Sequence, residues 1–239
     1  ILRTPLVELG STGILLKAES LQPSGAFKLR GAFNTLLLLT EDERRRGVVA
    51  HSSGNHAVAV AMAAAQLGIP ATIVMPAFTP FVKVRHTRDF GARVVLHGET
   101  LAKAAAHART LAEKEQLVFV HPYDDETVIA GQGTVALEML EDHPDIDCLC
   151  VPIGGGGLLA GMAIAARGIK PSIGLIGVQT RAFPAMHAAI AGTTPQFATQ
   201  TIAEGIAVRN VGRITREIIG RLVEDILLVD ESDIENAIS

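Results

Sequence analysis

Eight short apolar runs rich in β-branched residues, ILLKAE, VVAHS, ATIVMP, ARVVLHG, LVFVHP, DCLCVPIG, SIGLIGVQ and DILLVD, recur along the chain with longer helical patterns between them. Helices are predicted over 55–67, 101–114 and 127–140. A strand buried on both faces reads as a near-continuous apolar run, and a helix between two such strands brings the chain back parallel to its start. The alternation therefore predicts an α/β fold with parallel-rich sheets flanked by helices. Gly47, Gly91 and the Gly68-Ile69-Pro70 triplet stand where a helix must stop and a strand begin. No repeat, low-complexity segment or linker interrupts the pattern.

The 239 residues, 48% hydrophobic and 19% charged, suffice for one large domain or two small ones. The run AVAVAMAAAQLG is too short to span a bilayer, so no membrane partner is expected. A formal net charge of −4 without a long Lys/Arg cluster provides no electrostatic footprint for nucleic acid. Arg44, Arg45 and Arg46 follow Glu41, Asp42 and Glu43, which reads as a solvated helix end. Cys148 and Cys150 alternate with Leu149 and Val151, which places both thiols on one face of a buried strand, as core packing. Two thiols make no disulfide framework, and a reducing, cytoplasmic location fits. Ser232 and Glu235 have capping-box spacing at a helix that runs into Ser239, so the sequence is expected to be a fragment of a longer chain.

Three stretches carry chemistry. In PSGAFKLRGAFN, residues 23–34, Lys28 follows Phe27 at the entry to a helix. Such a lysine is either a surface cation or a desolvated amine with a lowered pKa, and the neutral amine is a nucleophile. HSSGNHA, residues 51–57, follows a strand and opens an Ala-rich helix. Its Ser52, Ser53 and Asn55 can cap that helix, or can combine with free backbone amides to bind a carboxylate. His56 is a candidate acid or base, or a structural ring of the first turn. GGGGLLAG, residues 154–161, follows LCVPI and opens another helix. Four glycines lose much chain entropy on ordering and let backbone amides approach a phosphate, although the loop matches neither the dinucleotide fingerprint nor the Walker pattern. G-x-S-x-G, H-E-x-x-H and paired CxxC motifs are missing from the sequence. A nucleophilic lysine, a carboxylate loop and a phosphate loop together suit an aldehyde cofactor with a phosphate handle, able to link to Lys28 as an imine. Pyridoxal 5'-phosphate is that cofactor.

In TPLVEL, SLQPSGAFKLRGA, SSGNHA, HPYDDETVIAGQGT, VPIGGGGLLAG, TIAEGIAV and LVEDILLVDESDI, taken in order, the chain resembles the fold-type-II pyridoxal-phosphate enzymes. The branch it resembles is that of the threonine/serine dehydratases and serine racemases. The resemblance implies two domains of a tryptophan synthase beta-like fold: a larger one from 1–43 and 126–239, and a smaller one from 44–125 inserted into it. It implies that Lys28 carries the cofactor with Phe27 beside it, and that Asn55 hydrogen-bonds the ring hydroxyl. Gly154, Gly155, Gly156, Gly157 and the Leu158 amide would cradle the phosphate. Ser52, Ser53, Gly54, Asn55 and His56 would line the substrate-carboxylate pocket. The implied reaction is α,β-elimination on L-threonine to 2-oxobutanoate and ammonia, or on L-serine to pyruvate, in a homodimer.

Ser53 stands where many dehydratases have alanine and where racemases place their second base, so serine racemase is the alternative. A catalytically silent scaffold is the alternative of another class. Gln179 and Ala185 stand where racemases hold a divalent cation with carboxylates, and neutral side chains predict no metal site. The family's partner for the pyridine nitrogen is expected on a segment beyond Ser239.

Overall fold

The computed structural model describes residues 1–238 and folds as two compact units, Ile1–Pro122 and the part from Tyr123 onward.

The first unit opens with an antiparallel hairpin, β1 (Leu6–Glu8) and β2 (Leu15–Lys17), in which Val7 lies opposite Leu16. Helices α1 (Lys28–Leu37) and α2 (Glu41–Arg46) follow. Thr40 and Glu43 close a capping box around α2, and the three arginines stand in its last turn, as the charge order predicts. The chain then alternates: β3 (Val48–His51), α3 (Asn55–Leu67), β4 (Ala71–Met75), α4 (Phe81–Arg88), β5 (Arg93–Leu96), α5 (Leu101–Glu115) and β6 (Val118–Phe119). The strands form one parallel sheet in the order β5-β4-β3-β6. β3 is central and every residue in it is buried, the reason Val48, Val49 and Ala50 are apolar in succession before His51. On one face Val49 and Val74 pack with Ala104 and Ala108 of α5. α3 ends at Gly68, whose left-handed φ of 67° terminates the helix ahead of Ile69-Pro70.

An ion pair between the buried Arg30 and the half-buried Glu19 anchors the N-terminal segment to α1. Arg30 Nε and Nη2 donate to the two carboxylate oxygens of Glu19 at 2.8 and 2.7 Å. Thr4 Oγ1 also donates to Glu19, at 2.6 Å, while Gln22 Nε2 reaches the Leu2 carbonyl at 2.8 Å.

The second unit contains α6 (Glu126–Asp142), β7 (Cys148–Pro152), α7 (Gly157–Ile169), β8 (Gly174–Thr180), α8 (Ala185–Ala191), α9 (Arg213–Leu222), β9 (Asp225–Val229) and α10 (Glu231–Ile238). Its sheet is parallel, in the order β7-β8-β9. Helices α6 and α7 cross where Gly161 meets the Ile129 carbonyl and the Gly133 amide, at a spacing a Cβ would not fit.

The structure departs from two sequence expectations. Cys148 and Cys150 do share one face of β7, but that face is exposed, and Leu149 and Val151 occupy the core. β7 is an edge strand with alternating burial, so the thiols are not core packing. The capping geometry of α10 also lies earlier than Ser232 and Glu235. The helix starts at Glu231, and the Asp233 carboxylate accepts from the Asp230 amide at 2.9 Å. Ser239 lies outside the described residues.

Candidate functional site: a desolvated lysine and an amide nest

Lys28 is the first residue of α1 and is half-buried. Its Nζ donates to the Pro122 carbonyl at 2.6 Å and stands 5.2 Å from the centre of the Phe27 ring. Burial alone lowers its pKa to about 8, because the ammonium loses hydration and no carboxylate offsets that loss. Of the two readings open in the sequence, the structure selects the desolvated amine.

The SSGNH loop joins β3 to α3 within the same unit. Gly54, not a serine or asparagine side chain, stands at the N-cap of α3. Ser52 Oγ instead accepts from the Gly54 amide at 3.1 Å. The Ser53 hydroxyl and the exposed Asn55 carboxamide make no hydrogen bond among the described residues. With Asn55 and His56 providing first-turn amides, the loop keeps donors available for an anion. His56 is buried, and its Nε2 donates to the Val120 carbonyl at 3.1 Å. Burial, and then the nearby Lys28 charge, push its pKa down to about 3, so the ring is neutral near pH 7. His51, stacked on Phe119 with ring centres 5.7 Å apart, is pushed down to about 4 by burial and then by His121 and Arg109.

The lysine yields a pH prediction. Between about pH 8 and 10.5 the unfolded chain holds a proton on Lys28 that the folded chain has released. Stability without cofactor therefore rises with pH across that window. Denaturation midpoints at several pH values check this: the rise is present in the wild type and missing in Lys28→Met.

In the second unit, the glycine loop leaves β7 and enters α7. Gly156 is left-handed, with φ 92° and ψ −6°, and Gly157 is the first helical residue. Successive residues of opposite hand turn three consecutive amides, those of Gly156, Gly157 and Leu158, toward one point, the geometry of an anion nest. No side chain caps α7, and among the described residues none of the three amides meets an acceptor. This geometry fits a phosphate: three convergent backbone amides at a helix N-terminus with, among the described residues, no competing partner.

The glycines are also demanded by what lies behind them. The Tyr123 ring occupies the space a Cβ on Gly155 would need, and Met186 Cε lies 2.7 Å from that position on Gly156. Tyr123 is held by its hydroxyl, which donates to the Asn210 carbonyl at 2.7 Å. Asp124 accepts from the amides of Arg213, Ile214 and Thr215 at 3.0, 2.8 and 3.1 Å, capping α9 from far along the chain. Asp125 caps α6 through the Thr127 and Val128 amides.

No local pattern in the sequence gives Tyr123, Asp124 or Thr215 a role. Asp125 was legible as an Asp two residues before a helical Thr. Nothing local marks Asp124 as the cap of a helix that begins 89 residues later. Gln179 is fully buried and capped onto α8: its Oε1 accepts from the Met186 and His187 amides, each at 3.1 Å, and its Nε2 donates to the Ile153 carbonyl at 3.4 Å.

A family model described as pyridoxal-phosphate dependent enzyme matches residues 1–239. The chain is 46% identical over 235 residues to the L-threonine ammonia-lyase of Thermotoga maritima, covering 98% of this chain and 59% of that protein. It is 47% identical over 226 residues to the L-threonine dehydratase catabolic TdcB of Escherichia coli, covering 94% and 69%. The structure of maize serine racemase superposes with a TM-score of 0.92 at 37% identity, over 99% of this chain and 74% of that one. The chain thus spans less than two thirds of the length of the Thermotoga relative. A full-length family match and close relatives accompany a desolvated lysine and an open amide nest, and the chain belongs to the fold-type-II pyridoxal-phosphate dependent enzymes, in the threonine/serine dehydratase and serine racemase family.

Proposed function

We propose that the protein is a pyridoxal-phosphate dependent ammonia-lyase acting on L-threonine, and on L-serine, to release a 2-oxo acid and ammonia. The observation that carries the reading is Lys28, whose amine is desolvated and whose pKa is lowered to about 8. A lysine in that state is both a nucleophile toward an aldehyde and a base near neutral pH. The likeness to two curated threonine enzymes at 46% and 47% identity supports the substrate class.

The cofactor, when bound, supplies an aldehyde that bonds an amine and a conjugated ring that accepts electrons from the substrate Cα. The rest falls to the chain. Lys28 would carry the cofactor, and its amine would take the Cα proton; at pH 7 about a tenth of such amines are already neutral. Phe27 packs beside the amine, and Asn55 offers its unpartnered carboxamide to the ring hydroxyl. Gly154, Gly155, Gly156, Gly157 and Leu158 hold the phosphate through backbone amides. Ser52, Ser53, Gly54, Asn55 and the first-turn amide of His56 orient the substrate carboxylate, while the neutral His56 ring stays on its Val120 partner. Ser53, with its hydroxyl unpartnered, is the residue that favours the second reading, serine racemase: it is the base for the opposite face of Cα.

The two-domain division of the family is part of the proposal, with 44–125 as the smaller domain between 1–43 and 126–239. It is supported by the sheet β5-β4-β3-β6, which lies wholly within that stretch. No described helix is long and apolar enough to cross a membrane. A cytoplasmic homodimer is the expected form.

The deciding assay supplies the full chain with pyridoxal phosphate and follows 2-oxobutanoate from L-threonine, pyruvate from L-serine and D-serine from L-serine. Faster 2-oxo acid release than D-serine formation is the expected result. D-serine formation as the main reaction selects the racemase, and bound cofactor with no product selects the silent scaffold.

A further inference from the structure

The nest at Gly156 works only if the Gly155–Gly156 peptide has one orientation. That peptide is planar and trans, so its carbonyl oxygen and its N–H point in opposite directions. Thr215 Oγ1 donates to the Gly155 carbonyl at 2.8 Å, which draws the oxygen toward α9 and turns the Gly156 N–H away from it, into the set formed with Gly157 and Leu158. Thr215 is fully buried, and its Cβ lies 3.0 Å from the place a Cβ on Gly156 would take. Its own backbone amide is held by Asp124 at 3.1 Å, so neither the side chain nor the helix end is free to turn.

We propose that Thr215 is a positioning residue for the phosphate group of the cofactor, acting through the Gly155 carbonyl to aim the Gly156 amide. The inference rests on the reading that the amide nest takes that phosphate. Flipping the peptide would point a carbonyl oxygen at an anion, and the hydroxyl of Thr215 is what disfavours the flip. A hydrogen bond to a charged group is worth more than a neutral one, so losing one aimed amide has a measurable effect on affinity.

The test compares two ligands that differ only in the phosphate. The full chain is resolved of its cofactor and titrated with pyridoxal phosphate and with pyridoxal, as wild type, Thr215→Val and Thr215→Ser. Thr215→Val keeps the shape and removes the donor. It is expected to weaken pyridoxal phosphate binding about tenfold while changing pyridoxal binding less than about twofold. Thr215→Ser keeps the hydroxyl and is expected to bind both as the wild type does. Equal loss of both ligands in Thr215→Val marks a merely structural role and overturns the proposal, as does an unchanged ratio or a serine variant that behaves like the valine one. If Thr215→Val does not fold, Thr215→Ala takes its place under the same criteria. A wild type with no preference for the phosphorylated ligand overturns the nest reading itself; a wild-type preference that survives in Thr215→Val overturns only the role of Thr215.

Discussion

Lys28→Ala is expected to lower 2-oxobutanoate release from L-threonine by about 10³–10⁴-fold, since one substitution removes both the attachment point of the cofactor and the base for the Cα proton. Lys28→Arg is expected to fare no better. A guanidinium stays charged at every accessible pH, so it restores the cation without the nucleophile. Borohydride reduction followed by peptide mass analysis gives an independent readout: the cofactor is trapped on the peptide containing Lys28 in the wild type and on no peptide in either variant. Activity within tenfold of wild type in Lys28→Ala would refute the assignment. The desolvation that lowers the Lys28 pKa to about 8 also sets a pH requirement. Apoprotein should take up cofactor faster as pH rises toward 8, because attack on the aldehyde needs the neutral amine.

Glu19→Ala is expected to cost about 3–5 kcal/mol of stability, among the largest effects available to a single substitution in this chain. Glu19 accepts two hydrogen bonds from Arg30, whose side chain is only 1% exposed. Removing the carboxylate takes both of these charge-assisted bonds from a guanidinium held in the interior. The network also ties down Thr4 and Gln22, so the N-terminal hairpin should loosen at the same time. Urea titration gives the midpoint shift, and amide exchange at Leu2 and Ala18, which donate to Gln22 and to the Pro5 carbonyl, gives the local component. Exchanging both residues together, Glu19→Met with Arg30→Met, should recover much of the loss, since two apolar side chains leave no buried charge. A Glu19→Ala loss below 1 kcal/mol would mean that water reaches the arginine freely.

Much of the architecture could be read without coordinates. Periodicity and glycine placement bound α3 to the residues observed, and all eight apolar runs contain a strand. The position of Lys28 at a helix entry and the placement of both loops at strand-to-helix junctions were equally legible, because each depends on neighbours within a few residues. The cysteines show where such reading fails. Alternation reports that Cys148 and Cys150 share a face, but which face is buried depends on where helices and neighbouring strands lie. Ser52, Ser53 and Asn55 are caps by residue type, yet Gly54 occupies the N-cap; Ser52 bonds the amide of that glycine, and no side chain caps the first-turn amides of α3.

The sequence by itself determined the α/β alternation, the residue types at the three loops and the chemistry those types permit, since these follow from local spacing and side-chain identity. Only the tertiary structure decided that Lys28 is a desolvated amine facing Pro122, that Glu19 and Arg30 share a buried charge, and that Thr215 sets a peptide 60 residues away. Hydration and hydrogen-bond direction are properties of an environment assembled from distant segments, and no local pattern in the chain encodes which segments will meet.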